Sequence, residues 1–448
     1  MPPQTPQEAY ETLEATYKTT NPLSHNHHQT ALSHLPGGNT RTVLHYPPFP
    51  LHILSASASH LTSADGNTYT DFLNEYTAAL YGHSHPELLS TITKTALNGL
   101  SYGSTHPDEQ LLAAQIKLRF PSIDLLRFTN SGTEATLLAL AASKISTGGR
   151  SKILCFAGAY HGGTFNFKGY ESSPLNVPHE WLITTYNDLS SVDAFVRNTA
   201  HRDDIAAIII EPMLGSGGAI PADLEFLKGL RKAANEVGAV LIYDEVMTSR
   251  MYSGGGIQSQ LPLEMRPDLT LLGKYIGGGM SFGAFGGSEK IMSLFDPRKS
   301  NALAHAGTFN NNVLTMAAGR VGLEQIFTPE RAQELHDTGE KLRETLSEIG
   351  RGTLLKVTGR GSIMCFHFTC APAEQIKCHK DLLDENSVLG GLLHLFLLER
   401  GYYIARRGFV SLSLVLSHGE LDGFAKAIEA FVGEYRHLLS QSENMAKL

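Results

Sequence analysis

Between about residues 105 and 325, short runs of uninterrupted apolar residues alternate with stretches whose apolar positions recur at helical spacing. Residues 153–156, 205–210 and 240–243 lack a polar face, the pattern of strands buried on both sides; 269–272, broken only by Thr270, and 125–129, which carries Arg127 and Thr129, also read as strands. Residues 136–145 and 224–237 read as helices between them, and 281–287 as a further strand. Strands alternating with helices predict a mainly parallel sheet with helices on both faces. The chain before this region is more broken. A helical pattern on Tyr10, Leu13 and Tyr17 gives way to a Pro- and His-rich break and a loop at 35–41 marked by Pro-Gly and Gly-Asn. Asp65-Gly66 marks a hairpin turn, and Pro86 opens a helix. After about residue 330 come an amphipathic helix (331–346), strands such as 362–368 and a last helix (421–438). The expectation is an α/β fold in three parts: an N-terminal arm and small-domain segment (1–75), a large domain (76–330) and a smaller α+β domain (331–448).

Composition narrows the function classes. With 448 residues, 42% of them apolar and 18% charged, the chain is long enough for more than one core and is not a disordered polymer. A net charge of −8 without a basic block argues against nucleic-acid binding. No apolar window is long enough for a membrane span, and the N-terminus is too polar for a signal peptide. Four cysteines without zinc spacing read as reduced thiols, which points to the cytoplasm. The final Ala446-Lys447-Leu448 resembles a peroxisomal address and keeps that compartment open. His25, His27 and His28 fit either a metal site or an exposed polar segment; the second is expected, and with it no metal.

The candidate chemistry centres on Lys274. It lies between an apolar run and the cluster Gly277-Gly278-Gly279. An amine in apolar surroundings loses its proton more readily and becomes a nucleophile able to form a Schiff base; the plainer alternative is a lysine reaching solvent. The glycines are no dinucleotide fingerprint, because a strand follows them where that motif needs a helix. Thirty residues upstream, Asp244 ends another apolar run, at the strand end where open α/β sheets bind ligands. A carboxylate for a pyridine nitrogen and an amine for an aldehyde are the two handles that pyridoxal phosphate (PLP) requires. Ser131, Gly132 and Thr133 stand where a strand passes into a helix, which fits either a phosphate site or an ordinary helix cap. Tyr160, followed by His161 and two glycines, could stack on a ring or simply pack a loop. Glu211 ends the 205–210 strand.

Tyr243-Asp244-Glu245-Val246-Met247-Thr248, followed by Leu272-Gly273-Lys274-Tyr275-Ile276-Gly277-Gly278-Gly279, resembles the class III PLP-dependent aminotransferases of fold type I. The similarity runs from Pro36-Gly37-Gly38 to Arg407-Gly408-Phe409-Val410. It implies that Lys274 carries PLP and that Asp244 holds its ring nitrogen. It also implies a cofactor site drawn from Ser131, Gly132, Thr133, Tyr160, His161, Glu211 and Met247. Ala306-Gly307-Thr308-Phe309-Asn310 resembles the loop by which one subunit lends a threonine, here Thr308, to its partner's cofactor, and so implies a homodimer with shared sites.

Within the class, Lys274 to Met280 and Pro36-Gly37-Gly38 resemble glutamate-1-semialdehyde aminomutases, although the loop through Arg41 is shorter than theirs. More of the pattern is that of the β-amino-acid transaminases, the β-phenylalanine aminotransferases: Pro48 to Leu51, Glu75-Tyr76-Thr77-Ala78, Arg127 to Ala135, Asp244 to Arg250 and Arg407 to Val410. That resemblance implies transfer of an amino group from a β-amino acid, aromatic ones favoured, to 2-oxoglutarate or pyruvate. Arg41, Arg407 and Tyr76 would then contact substrate. Arg406 stands where those relatives carry proline, so either Arg406 or Arg407 could face inward. An aminomutase, an ω-amine transaminase and a PLP-binding protein without turnover are the alternatives; Asp244, Lys274 and Thr308 together argue against the last.

Overall fold

In the computed structural model, which describes residues 3–440, all five runs form strands and join two others in a seven-stranded sheet. Across the sheet the order is Leu125–Thr129, Gly283–Gly287, Leu269–Gly273, Val240–Asp244, Ile205–Ile210, Lys152–Phe156 and Glu180–Thr184. Gly283–Gly287 runs antiparallel to both neighbours, and the remaining adjacent pairs are parallel. Every residue of Ile205–Ile210 and Val240–Asp244 is buried, which requires cover on both faces. Helix Gly132–Ser146 packs on Leu269–Gly273 and Gly283–Gly287, and helix Leu224–Val237 on Ile205–Ile210 and Val240–Asp244. Ile208 and Ile210 are fully buried, each burial stabilising the fold by roughly 1.5–3 kcal/mol.

The ends of elements depart from the sequence expectation for local reasons. The helix expected from 136 starts at Gly132, because the Ser131 hydroxyl accepts from Glu134 N (3.2 Å) while the Glu134 carboxylate accepts from Asn130 N (2.9 Å). The Pro- and His-rich segment is not a break but helix Pro22–Leu32; Pro22 sits in the first turn, where no N–H is needed. His28 on this helix is buried, so the three histidines are not all exposed. The last helix is His418–Glu434, opened by a Ser417–Glu420 capping box and ended at Tyr435, whose ψ of 18° leaves the helical region. Strand Glu180–Thr184 escaped notice because it is an edge strand with polar ends. So did helix Ser387–Glu399, apolar all round and interrupted by Gly390-Gly391; Gly391 lets it close onto Tyr10 of helix Pro6–Thr20.

The two ends of the chain meet. Strand Tyr402–Tyr403 pairs in parallel with Thr68–Asp71, and Leu355–Arg360, Ile363–Phe368 and Phe409–Ser411 form a three-stranded sheet beside it. Cys155, Cys365, Cys370 and Cys378 are free thiols. Among the described residues no helix is long and apolar enough to cross a membrane. Ala446-Lys447-Leu448 lies outside the described residues.

Candidate active site

The carboxyl ends of the parallel strands converge on one cavity of about 300 Å³, lined by Ser131, Thr133, Tyr160, His161, Glu211, Asp244, Met247 and Lys274 among others. Lys274 is the first residue after strand Leu269–Gly273 and has a φ of 58°. The turn can form because Gly278, at φ 67°, lies where a Cβ would strike the backbone of Ala318. Burial pushes the Lys274 ammonium down to about 7, although the carboxylates of Asp244 and Glu211 pull the other way. Its Nζ donates to the carbonyl of Tyr76 (2.7 Å).

That carbonyl belongs to an unusual turn. Asn74, Glu75, Tyr76 and Thr77 all have positive φ (47°, 50°, 51° and 82°), each costing on the order of 1–3 kcal/mol for a residue that is not glycine. The turn is held by Asp71, whose Oδ1 accepts from Leu73 N (2.8 Å) and Asn74 N (2.9 Å). The Asn74 amide donates across the chain to Ser411 O (2.6 Å).

Behind Lys274, Asp244 is 6% exposed and accepts from His161 Nδ1 at 2.8 Å through Oδ2. Its Oδ1 accepts from Val246 N (3.1 Å). The other ring nitrogen of His161 is buried and has no partner. Glu211 accepts from Tyr160 N (2.8 Å) and Gly215 N (3.0 Å), and burial raises its carboxyl to about 7. At the helix start, the Ser131 side chain caps Glu134, leaving the amides of Gly132 and Thr133 without a partner in the helix. Gly162, at φ 124°, approaches so closely that a Cβ there would overlap Thr133.

Three residues mark the mouth. The Arg41 guanidinium is 5.9 Å from the centre of the Tyr76 ring and pairs with the Glu75 carboxylate. Arg407 lies 5.4 Å from the same ring and donates from Nη1 to Ser216 O (2.8 Å) and Ser216 Oγ (3.1 Å). Arg406 turns away, to 5.8 Å from the Tyr10 ring, so Arg407 is the arginine that faces the site. Thr308 is not brought to this cavity by its own chain. It is exposed, beside a larger open groove of about 820 Å³ lined by His106, Arg127, His305, Gly307 and Asn310.

A family model described as aminotransferase class-III matches residues 44–393. The chain belongs to the class III aminotransferases. The β-phenylalanine transaminase of Variovorax paradoxus is 45% identical to this aminotransferase over 424 residues, 94% of this chain and 95% of that protein. The crystal structure of a β-phenylalanine aminotransferase from Variovorax paradoxus superposes with a TM-score of 0.93 at 44% identity, covering 97% of this chain and 99% of the other. A glutamate-1-semialdehyde 2,1-aminomutase of Ignicoccus hospitalis is 34% identical over 416 residues, 90% of this chain and 96% of that protein. This aminotransferase is therefore a PLP-dependent transaminase of fold type I.

Its cavity fits that cofactor. A carboxylate and an amine line one pocket, the partnerless imidazole nitrogen of His161 is buried beside them, and two free helix amides with Ser131 and Thr133 suit a phosphate. Several lining residues had not been singled out from the sequence: Asn130, Val246, Met280, Ser281 and Phe282. The last three follow the glycine cluster directly, and that proximity was the available signal. Ser216, the partner of Arg407, was also missed; the run Gly215-Ser216-Gly217-Gly218 after Glu211-Pro212 was its only sign.

Proposed function

We propose that this aminotransferase moves an amino group from a β-amino acid, aromatic ones favoured, to a 2-oxo acid such as 2-oxoglutarate or pyruvate. The observation that carries this reading is the mouth of the site. Two guanidinium groups, Arg41 and Arg407, approach the ring of Tyr76, whose own carbonyl holds the Lys274 amine. Two candidate receptors for carboxylates thus meet at the residue that holds the reactive amine. In a β-amino acid the carboxylate lies one carbon further from the reacting centre than in a 2-oxo acid, so two receptors suit two partners that use the pocket in turn. Arg41 is assigned to the donor carboxylate and Arg407 to the acceptor.

Bound PLP would supply an aldehyde for the donor amine and a cationic ring as electron sink. Lys274 would anchor the cofactor and hold or move a proton at its Nζ, a task that suits an amine pushed down to about 7 by burial. Asp244 holds the proton on the ring nitrogen, and His161 fixes the orientation of Asp244. Tyr160 covers one ring face, with Met247 close to Gly215 on the cavity wall. Glu211 ties the Tyr160 backbone to Gly215. Ser131, Gly132 and Thr133 take the phosphate. Thr308 reaches the phosphate of a second copy; its exposure, with Phe309 at 59% exposed beside it, supports a homodimer with shared sites.

The test is a panel of amino donors against pyruvate and 2-oxoglutarate, followed by the visible spectrum of the cofactor. Conversion of aromatic β-amino acids at rates well above their α-isomers is expected. Turnover of a single substrate without an acceptor would place the enzyme with the aminomutases, and indifference to the donor carboxylate would place it with the ω-amine transaminases.

A further inference from the structure

The loop at 215–218 supports Arg407 and is itself pinned at both ends. At its start, Gly215 N donates to Glu211 Oε1 (3.0 Å). In its middle, Ser216 accepts twice from Arg407 Nη1. At its end, the carbonyl of Gly218 accepts from Thr358 Oγ1 (2.6 Å) and faces His367 Nε2 (3.0 Å). His367 and Thr358 lie on strands Ile363–Phe368 and Leu355–Arg360, outside the large sheet. The His367 side chain is 2% exposed, and its Nδ1 faces Glu385 Oε1 (3.2 Å). His367 Nε2 also lies 2.9 Å from Thr358 Oγ1, whose hydroxyl hydrogen is directed at Gly218 O, so the oxygens facing both ring nitrogens accept, the ring donates from both, and neither an alkyl group nor an amide can replace both bonds. Gly218 has a φ of 108°, and a Cβ there would come within 3.0 Å of His367 Cε1. The same strand also touches the arginine directly, because Cys365 Sγ donates to Arg407 O (3.4 Å).

We infer that His367, oriented by Glu385, is a positioning residue for acceptor recognition: by holding Gly218 it fixes the 215–218 loop, and through Ser216 it sets the Arg407 guanidinium for the carboxylate of the 2-oxo acid. This rests on the assignment of Arg407 to the acceptor. His367 does not line the cofactor cavity; it shares a cavity of about 300 Å³ with Ser216, Gly218 and Arg407, separate from the one that holds Lys274. Arg407 forms no ion pair among the described residues, and its only side-chain hydrogen bonds there are to Ser216. The rings of Tyr76 and Phe409, each 5.4 Å from the guanidinium, confine it to a plane, and the serine sets its direction within that space. A charged arginine without a fixed neighbour binds a carboxylate less well, since each substrate must then meet the cost of ordering it.

The test separates the half-reactions of the holoenzyme. His367→Leu should raise the acceptor KM about tenfold, the equivalent of one lost hydrogen bond to a charged group, with little change in kcat. The donor half-reaction and the absorbance of bound cofactor should stay as in the wild type. His367→Gln, which keeps one donor toward Gly218 O, should recover part of the loss. If His367→Leu does not fold, His367→Gln and Thr358→Val carry the test, each with a smaller rise in acceptor KM. Arg407→Ala and the double variant Arg407→Ala/His367→Leu complete a cycle. Once Arg407 is gone, loss of His367 (or of Thr358) should cost the acceptor nothing further. Additive losses, equal losses in both half-reactions, or a lowered melting temperature with unchanged KM would overturn the inference and leave His367 a structural residue. If Arg407→Ala leaves the acceptor KM unchanged, the assignment of Arg407 fails, and the role of His367 fails with it.

Discussion

If Arg41 receives the donor carboxylate, Glu75 is its rival. In the resting protein the Glu75 carboxylate occupies Arg41, so a substrate carboxylate must displace it. The Arg41 and Glu75 side chains are 46% and 52% exposed, which sets the size of the effect. An ion pair so open to water is worth about 0–1 kcal/mol, and the released glutamate can be hydrated where it stands. Removing the rival should therefore strengthen carboxylate binding by at most about 1 kcal/mol, or up to about fivefold in KM. Glu75→Gln keeps the size of the side chain and the left-handed turn. The expected result is a lower KM for a β-amino acid at nearly unchanged kcat, shrinking as salt screens the pair. The matching amine without a carboxylate should show no change, and Arg41→Ala should abolish the gain from Glu75→Gln. A rise in the β-amino-acid KM, or an equal shift for the amine, would refute the reasoning by showing that Glu75 orders the site and does not compete within it.

Two other predictions concern the cofactor-free chain and its assembly. The Lys274 pKa is lowered to about 7 by burial, so this lysine contributes stability that rises with pH between about 7 and 10.5, opposed by His367, which despite its burial is raised to about 10 by Cys365 and Glu385 and whose contribution falls between about 6.5 and 10; Glu211, raised to about 7 by burial, contributes stability that falls from about 4.5 to 7. From melting curves of the cofactor-free protein, the stability difference between wild type and Lys274→Met should rise from about 7 to 10.5 and that between wild type and Glu211→Gln should fall from about 4.5 to 7; a difference flat with pH would assign the dependence to other groups. For the proposed dimer, mixing inactive Lys274→Ala with Thr308→Ala subunits should restore activity, because one site of the mixed dimer keeps its lysine and receives an intact Thr308; no recovery despite subunit exchange would refute sharing.

The sheet was legible in the sequence wherever a strand is buried on both faces, because a run such as Ile205–Ile210 permits no other environment. The edge strand Glu180–Thr184 was not, since an edge needs no such run. Lys274 and Asp244 stood out for the same reason: each places a charged group at the end of an apolar run, and the structure brings both to one cavity. Asn74–Thr77 left no mark of its left-handed backbone, because glycine is the usual sign of positive φ and none is present. Asp71, two and three residues ahead of the amides it accepts from, gives the turn a local sign common to many Asp-initiated turns, but the bond to Ser411 comes from far along the chain and no local pattern announces it. His367 was silent too, a histidine within an otherwise apolar strand whose partners, Gly218 and Glu385, are set by tertiary packing.

On the proposed assignments, the chemistry and the choice of substrate are built on different parts of the fold. Asp244 and Lys274 project from adjacent strands of the large sheet, so their spacing is fixed by the ladder between Val240–Asp244 and Leu269–Gly273. Arg41, Tyr76 and Arg407 come instead from the joined ends of the chain. Thr68–Asp71 pairs with Tyr402–Tyr403, and Ser411 N donates to Phe72 O (2.7 Å) just ahead of the strained turn. The cost of four left-handed residues is met by these cross-chain bonds, which also place Glu75 beside Arg41 and the Tyr76 carbonyl against Lys274. That carbonyl links the two parts, tying the Lys274 amine to the turn that carries Glu75 and Tyr76. Substitutions at the joint can therefore change which carboxylate is admitted while the sheet-borne pair stays in register. A change at Asp71 or Asn74, which hold the turn itself, would disturb both at once.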